Sequence, residues 1–252
     1  MARAAVPGRL NWLVATLTEA KDETATARTL VLDVPGWPGH LAGQHVDIRL
    51  TAEDGYMAER SYSIASAPDG SRLELTVQRI ADGEVSPYLD EVLEPGDPLE
   101  LRGPIGGWFA WRPESTAPLL LLAGGSGIVP LMSIIRTHGE VKSKVPVRLV
   151  YSVRSPADAI YASELSERTV SSPLTVSYLY TRAAPGGGRT GRINADLIAG
   201  LATAAPARSP EENPSIFVCG PSGFVETVAS LLVDAGYHPA TIKTERFGPT
   251  GT

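Results

Sequence analysis

Four short segments of the chain bring together residue types that could do chemistry. Gly124-Gly125-Ser126-Gly127-Ile128-Val129-Pro130 follows an apolar run and opens a helical pattern. Small residues there let backbone N–H groups approach a phosphate, and a helix N-terminus favours negative charge. The full dinucleotide fingerprint would need glycine where Pro130 stands. The segment also fits a turn that merely joins a strand to a helix. Cys219-Gly220-Pro221-Ser222-Gly223-Phe224 repeats this arrangement later in the chain. Parallel strands put their C-terminal ends on one edge, so both glycine turns should face one crevice, where ligands of open α/β sheets bind. Arg60-Ser61-Tyr62-Ser63 offers a cation, an aromatic face and hydroxyls. In a regular strand Arg60 and Tyr62 share one face, and Ser61 and Ser63 the other. An ordinary barrel strand with its tyrosine in the core fits as well. Gly83-Glu84-Val85-Ser86 precedes a short helix whose N-terminus suits a phosphate, though a simply capped helix reads the same way.

The elements that must position these segments differ between the two halves of the chain. Up to about Phe109 the sequence reads as short strands at Leu13–Leu17, Thr29–Val34, His45–Leu50, Ser61–Ala65 and Leu73–Ile80. Apolar residues alternate with polar ones, as at Val46, Ile48 and Leu50, and Pro-Gly or Asp-Gly pairs separate the strands. This predicts an antiparallel barrel or sandwich. One helix interrupts it, with Ser86 as N-cap, Pro87 in the first helical position and Pro95-Gly96 as the stop. Arg112–Pro118 reads as a linker, dividing the chain into domains at 1–113 and 114–252.

Beyond the linker, strands alternate with helices. Strands are expected at Leu119–Ala123, Val147–Val153, Leu174–Tyr180, Ile216–Cys219 and Thr241–Phe247. Helices are expected at Pro130–His138, capped by Gly139, and at Ala159–Arg168, with a third carrying Val225, Val228, Ala229 and Leu232 and ending at Gly236. The alternation predicts a doubly wound parallel sheet. Pro185–Gly188 and Thr203–Pro214 read as mobile loops.

Composition removes several function classes. The formal charge is -6, so nothing draws the chain generally to nucleic acid or anionic membrane. A single cysteine, Cys219, leaves no disulfide and no four-thiolate site, and four histidines without metal-ligand spacing make a metal site unexpected. No run approaches the roughly 20 apolar residues that span a bilayer. Pro7, Gly8, Arg9 and Asn11 interrupt any signal-peptide core, so a cytoplasmic location is expected.

In their order and spacing the four segments resemble the ferredoxin–NADP reductase superfamily. Arg60-Ser61-Tyr62-Ser63 is similar to its R-x-Y-S flavin signature, and Gly43-Gln44 and Gly83-Glu84-Val85-Ser86 to the flanking flavin-domain motifs. Gly103-Pro104 with Gly106 resembles the strand leaving the barrel, Gly124–Pro130 the pyrophosphate motif, and Cys219-Gly220-Pro221 the nicotinamide motif. The resemblance covers nearly the whole chain. It implies a Greek-key flavin barrel followed by an NAD(P) domain, with FAD reduced by NADPH or NADH and electrons passed to an external acceptor. That acceptor would be a ferredoxin, a flavodoxin or an oxygenase component, none of which is expected as a fused domain.

The resemblance also implies roles. Arg60 would neutralise the flavin pyrophosphate, and Ser61 belongs to the same flavin segment. Tyr62 would stack on the isoalloxazine, and Ser63 would hydrogen-bond near flavin N5. Gly83, Val85 and Ser86 would bind the FAD phosphates, and Phe247 would lie near the ring. Gly125, Ser126, Gly127, Ile128 and Pro130 would hold the nucleotide pyrophosphate. Cys219, with Gly220 and Pro221, would sit by the nicotinamide. Ser63, Cys219 and Glu245 are the candidates for tuning the chemistry, Glu245 being equally readable as a surface charge. Arg154, Arg182 and Arg192, with Ser152, match positions around a 2′-phosphate, and the Ser152-Val153-Arg154-Ser155 stretch holds no acidic residue for a ribose diol. NADPH is therefore preferred over NADH, although each arginine alone also reads as a solvated loop charge. The terminal Gly248-Pro249-Thr250-Gly251-Thr252 departs from the family pattern in lacking a final aromatic cap.

Rival readings are weaker. Ser126 and Ser222 follow strands as a hydrolase nucleophile would, but Ile128 and Phe224 stand where G-x-S-x-G needs glycine, and His238 has no evident acidic partner. A relay subunit of an oxygenase system, or a reductase using flavin as a diffusible substrate, would keep the same fold.

Overall fold

A computed structural model describes residues 10–201 and 214–248. In the first half, β1 (Leu13–Thr24), β2 (Ala27–Asp33), β3 (His45–Thr51), β4 (Met57–Ser63), β5 (Arg72–Gln78) and β6 (Pro98–Ile105) form one antiparallel sheet in the order β4-β3-β6-β1-β2-β5. Its two outer strands meet where Ile64 bridges Leu75 and the Ala65 N–H donates to the Glu74 carbonyl at 2.7 Å, which rolls the sheet into a barrel. Of the alternating apolar residues of β3, Val46 and Ile48 are wholly buried in the barrel core and Leu50 packs half-buried against it, while Leu73, Leu75 and Val77 of β5 are also wholly buried.

Several boundaries differ from expectation for identifiable reasons. β1 runs on to Thr24 because the backbone of its second half pairs with β2, although the residues there alternate poorly. β4 starts at Met57, not Ser61, because Ala58, Glu59 and Arg60 pair with Leu50, Arg49 and Ile48. The exposed charges of Glu59 and Arg60 hide that strand from a hydrophobic pattern. The short helix between β5 and β6 is a π-type turn at Tyr88–Val92. Ser86 does not cap it, since its hydroxyl accepts the Ile80 N–H at 3.0 Å.

The second half alternates β7 (Leu119–Gly124), α1 (Ile128–Glu140), β8 (Val147–Val153), α2 (Ala162–Ser171), β9 (Leu174–Tyr180), α3 (Ala195–Leu201), β10 (Ser215–Pro221), α4 (Ser222–Asp234) and β11 (Ile242–Phe247). The strands are parallel in the order β11-β10-β7-β8-β9. Every residue of β7 is buried, as a central strand covered on both faces requires. α1 and α2 pack on one face and α3 and α4 on the other. The chain reverses direction across the sheet between β7 and β10, the switch point beside whose C-terminal strand ends ligands of such sheets bind.

α1 begins two residues before Pro130, after a 3₁₀ turn over Gly125–Gly127, and continues through Gly139 instead of ending there. Lys142, at φ 52°, takes the reversal that glycine was expected to make. α2 starts at Ala162 because Pro156–Asp158 forms its own 3₁₀ turn and Tyr161 sits at φ 60°. α3 was unexpected; the Asn194 side chain accepts the Leu197 N–H at 2.9 Å at its start. Pro185–Gly187 is a 3₁₀ turn within the expected loop. The loop read over Thr203–Pro214 lies outside the described residues up to 213, as do Pro7–Arg9 and the tail from Pro249. Among the described residues no helix is long and apolar enough to cross a membrane.

The two halves share a core. Ala27, Ala42, Ala65, Phe109 and Trp111 belong to the same apolar cluster as α1, α2 and the inner face of the parallel sheet. Phe109 and Phe217 meet edge to face at 5.2 Å.

Candidate active site

Strand pairing builds the barrel side of the site. β3 and β4 place Ser63 opposite His45, Tyr62 opposite Val46, Ser61 opposite Asp47 and Arg60 opposite Ile48. Tyr62 packs against the barrel core, and burial pushes its phenol up to about 12 while the Arg60 charge pulls it down, so the hydroxyl keeps its proton at neutral pH. Ser61 faces the other way and donates to Asp47 at 2.6 Å, where Arg102 also binds. Arg60 is half exposed and donates to the Glu84 carboxylate at 2.5 Å and to the Glu59 carbonyl at 2.7 Å. Glu84 also accepts from the Tyr56 hydroxyl at 2.8 Å. The Gly83–Ser86 segment thus lies beside Arg60. A Cβ on Gly83 would stand 2.8 Å from the Ser86 oxygen, and Val85 is buried.

The second side lies at the switch point. The two glycine turns are pressed together there: a Cβ on Gly127 would fall 2.1 Å from the Cys219 carbonyl oxygen, and one on Gly220 would fall 2.9 Å from the Phe224 ring and 3.1 Å from the Gly124 Cα. Gly125 and Ser126 are half-buried at the rim, while Ile128 and Pro130 are buried in the start of α1. Cys219 is wholly buried, between Ala123 and Glu245 on the neighbouring strands. Burial, reinforced by the Glu245 charge, raises its thiol well above the ordinary range, so it is neither a thiolate nor a nucleophile. Pro221 pairs with Phe247, whose ring packs against the shared core.

Ser152 is buried in register with Gly124 at the end of β8. Arg154, Arg182 and Arg192 are exposed beyond β8 and β9. The Arg154 carbonyl accepts the N–H groups of Arg182 and Ala183, and the Gly191 N–H donates to the Tyr180 carbonyl at 2.9 Å. These bonds gather the three arginines at one edge, in backbone segments that touch.

A contact between the domains joins the two sides. His45 Nδ1 lies 3.9 Å from Glu245 Oε1. Since His45 is the partner of Ser63 and Glu245 the partner of Cys219, one row of residues runs from the barrel strand to the nucleotide turn. Burial lowers the imidazole below its usual value and raises Glu245 to about 7. Both groups are driven toward their uncharged forms, and the contact is not a charged pair at mildly acidic pH. His45 was not among the expected site residues. Its signal was its place immediately after Gly43-Gln44, directly opposite Ser63 once β3 and β4 are paired.

Two atoms in this row have no partner. Ser63 Oγ and Glu245 Oε2 are buried without a hydrogen bond. Each such group costs about 1–3 kcal/mol, which a ligand offering hydrogen bonds there recovers. A flavin ring edge, rich in donors and acceptors, fits such a place.

The comparisons with known proteins fall on the same two halves. The oxidoreductase FAD-binding domain family matches residues 14–109, and the oxidoreductase NAD-binding domain family matches 121–230. A ferredoxin–NADP reductase B of Sorangium cellulosum is 36% identical over 196 residues, covering 75% of this chain and 78% of that protein. The chain belongs to the ferredoxin–NADP reductase superfamily. A glycine betaine monooxygenase reductase subunit of Pseudomonas aeruginosa is 33% identical over 213 residues, 82% of this chain. The chain spans only 56% of the length of that subunit. Among solved structures, a ferredoxin NADP+ reductase from Neisseria gonorrhoeae with bound FAD and NADP superposes with a TM-score of 0.78 at 25% identity, covering 93% of this chain and 98% of that one. The antiparallel barrel and doubly wound parallel sheet are thus those of the ferredoxin–NADP reductase superfamily, with its FAD-binding and NAD-binding domains.

The raised Glu245 carboxyl makes a stability prediction for this superfamily member. Its pKa rises from 4.5 to about 7 on folding. The native state therefore binds more protons than the unfolded chain between these values, and stability falls as pH rises through this window. Glu245→Gln should remove that slope in the flavin-free protein. Thermal melts from pH 4 to 8 should show the variant gaining on the wild type with rising pH, by about 3 kcal/mol above pH 7. A constant difference across the range would place the carboxyl in water.

Proposed function

We propose that the chain is an FAD-dependent NAD(P)H reductase that hands electrons to an external acceptor, with a flavin domain over residues 1–113 and a nucleotide domain over 114–252. The observation that carries this reading is the His45–Glu245 contact, which places the unsatisfied hydroxyl of Ser63 on the strand next to that contact, with Cys219 on its other side.

Each part of the site has a task in this reading. Arg60, now held by Glu84, turns its guanidinium to the flavin pyrophosphate, with the N–H groups of Val85 and Ser86 completing the phosphate site and Gly83, whose N–H is taken by the Ile80 carbonyl, shaping the turn. Ser61 contributes through its backbone, its hydroxyl being engaged by Asp47. Tyr62 presents its ring to the isoalloxazine, and Ser63 Oγ donates to the ring edge near N5. Gly125, Ser126, Gly127, Ile128 and Pro130 bring the start of α1 against the nucleotide pyrophosphate. Cys219, Gly220 and Pro221 form the wall for the nicotinamide, and Phe247 borders it. FAD, when bound, takes two electrons together from a nicotinamide and releases them singly. The protein's work is orientation and exclusion of water. The neutral Cys219 thiol leaves the nicotinamide uncharged company, and Glu245 holds a proton beside the ring up to about pH 7.

The acceptor is a ferredoxin, a flavodoxin or an oxygenase component; the names of its relatives favour a ferredoxin or an oxygenase system. Arg154, Arg182 and Arg192, with Ser152, favour NADPH through charge-assisted bonds to a 2′-phosphate.

One experiment tests the reading. Purified protein should be yellow, and anaerobic titration with one equivalent of NADPH should bleach the flavin near 450 nm, with NADH acting more weakly. An Arg154→Ala, Arg182→Ala double variant should raise KM for NADPH about 100-fold or more, at about 1.5–3 kcal/mol per charged hydrogen bond, and leave KM for NADH unchanged. A preparation that stays colourless with both FAD and FMN would overturn the function. Equal losses for the two nucleotides would overturn the preference alone.

A further inference from the structure

The most heavily bonded charge among the described residues lies outside the site. Arg136 stands on α1, whose N-terminus is the turn at Gly125–Gly127. Its side chain is 13% exposed. Nη1 donates to the Ala65 carbonyl at 3.0 Å and to Glu74 Oε2 at 2.7 Å, both on the barrel. Nε and Nη2 form a two-pronged pair with Glu164 of α2 at 3.0 and 2.7 Å. The guanidinium lies 5.1 Å from the ring of Tyr161. A buried guanidinium is tolerable only with this degree of satisfaction, and the arrangement fixes its position closely.

Neighbouring contacts follow the same line. Ser133, one turn earlier on α1, donates to the Ser66 carbonyl at 2.6 Å. Tyr161 shares a hydrogen bond with Thr76, whose hydroxyl is bonded to Thr29 at 2.7 Å, and its N–H donates to Glu23 at 3.3 Å. Tyr161 adopts φ 60°, a backbone conformation that a bulky residue holds only where its surroundings impose it. Ala65 and Ser66 lie just past Ser63 in sequence, so α1 is pinned to the end of the strand that presents Ser63 to the site. One helix therefore carries the phosphate turn at its head and the barrel anchor in its body.

We propose that Arg136 is a positioning residue for hydride transfer. By tying α1 to Ala65 and Glu74, it sets the distance between the nucleotide turn and the flavin strand. This inference rests on the reductase reading. Reaction across two domains is steep in distance: a displacement of about 1 Å costs on the order of 100-fold in rate. Nucleotide affinity depends on contacts within the second domain alone, and release of electrons to a small oxidant depends on the first alone. Arg136 touches neither set.

The test is stopped-flow reduction of the FAD-loaded full chain by saturating NADPH. Arg136→Met should lower the limiting rate of flavin reduction by about 10- to 100-fold and weaken the nicotinamide–flavin charge-transfer band. The Kd for NADP+ should stay within threefold of wild type, as should the rate at which ferricyanide reoxidises chemically reduced flavin. Arg136→Lys keeps the charge without the fork and should fall between the two; it carries the test if Arg136→Met does not fold. A limiting rate within twofold of wild type in a folded variant overturns the proposal, as does a parallel fall in NADP+ binding and ferricyanide turnover, which marks general loss of structure. Failure of the reductase reading would show differently, as a wild-type flavin that NADPH does not reduce.

Discussion

Gly127→Ala is expected to end flavin reduction by NAD(P)H while leaving FAD bound. The position has ordinary helical dihedrals, with φ -61° and ψ -8°, so alanine is not strained by backbone conformation. Space is what forbids it. The added methyl would lie 2.1 Å from the Cys219 carbonyl oxygen, 2.4 Å from its carbon and 2.7 Å from the Gly220 nitrogen. All three are backbone atoms of β10, and β10 is hydrogen-bonded to β7 and β11. Neither side can rotate away as a side chain would, so the turn must separate from the strand by about an ångström. Overpacking of a closed core costs about 1–3 kcal/mol in stability. The larger loss should be functional, since in the proposed function the displaced atoms form both the phosphate turn and the nicotinamide wall. The limiting rate of flavin reduction should fall by at least about 100-fold. The barrel lies on other strands, and its flavin spectrum should be unchanged. Stopped-flow absorbance with NADPH measures the first quantity and a visible spectrum the second. A variant reducing its flavin within threefold of wild type would show that β7 and β10 do not meet in this way.

Arg60→Ala should do the converse, emptying the barrel with little effect on the fold. The guanidinium is 52% exposed and Glu84, its partner, 48% exposed. Such a pair contributes about 0–1 kcal/mol to stability, so the melting temperature of the flavin-free protein should barely move. A charge-assisted, two-pronged bond to a pyrophosphate is worth about 1.5–3 kcal/mol, and its removal also leaves Glu84 facing the phosphate. FAD affinity should fall by about 100-fold or more, and the variant should lose its colour on gel filtration. Fluorescence titration of the flavin-free protein checks the number. An unchanged Kd would mean that Arg60 serves only the Glu84 contact.

Much of the fold was legible in the sequence because the determining patterns are local. The parallel strands could be read because β7 is apolar at every position, and the alternation at Val46, Ile48 and Leu50 pointed to a strand with one buried face. β4 was misplaced because Glu59 and Arg60 are held by pairing to β3 and not by hydrophobic alternation. Gly139 looked like a stop but lies inside α1, where its missing side chain leaves room for Arg168; a Cβ there would come within 3.0 Å of that guanidinium. No local pattern encodes such a contact between helices. At the site, the motif order named the segments, while His45, Glu84 and Arg136 became visible only in three dimensions. His45 acquires its neighbour Glu245 from a strand 200 residues later in the chain. A lone cysteine is more often a buried small hydrophobe than a reactive group, its place beside a glycine turn narrows that preference, and the burial of β10 decides for the buried, neutral thiol.

The apolar seam joining Phe109, Trp111 and Ala65 to α1 and the inner face of the sheet has a consequence for access. Swinging the halves apart would wet tryptophan and phenylalanine together and strip the Arg136 guanidinium of Glu74, one of its two carboxylates, so a gaping hinge is too costly to serve as a doorway. In the proposed function a dinucleotide would instead enter along the rim of the sheet, past the exposed Arg154, Arg182 and Arg192. At the opposite edge of the sheet the last strand ends in Phe247, paired with Pro221 and packed against the shared core.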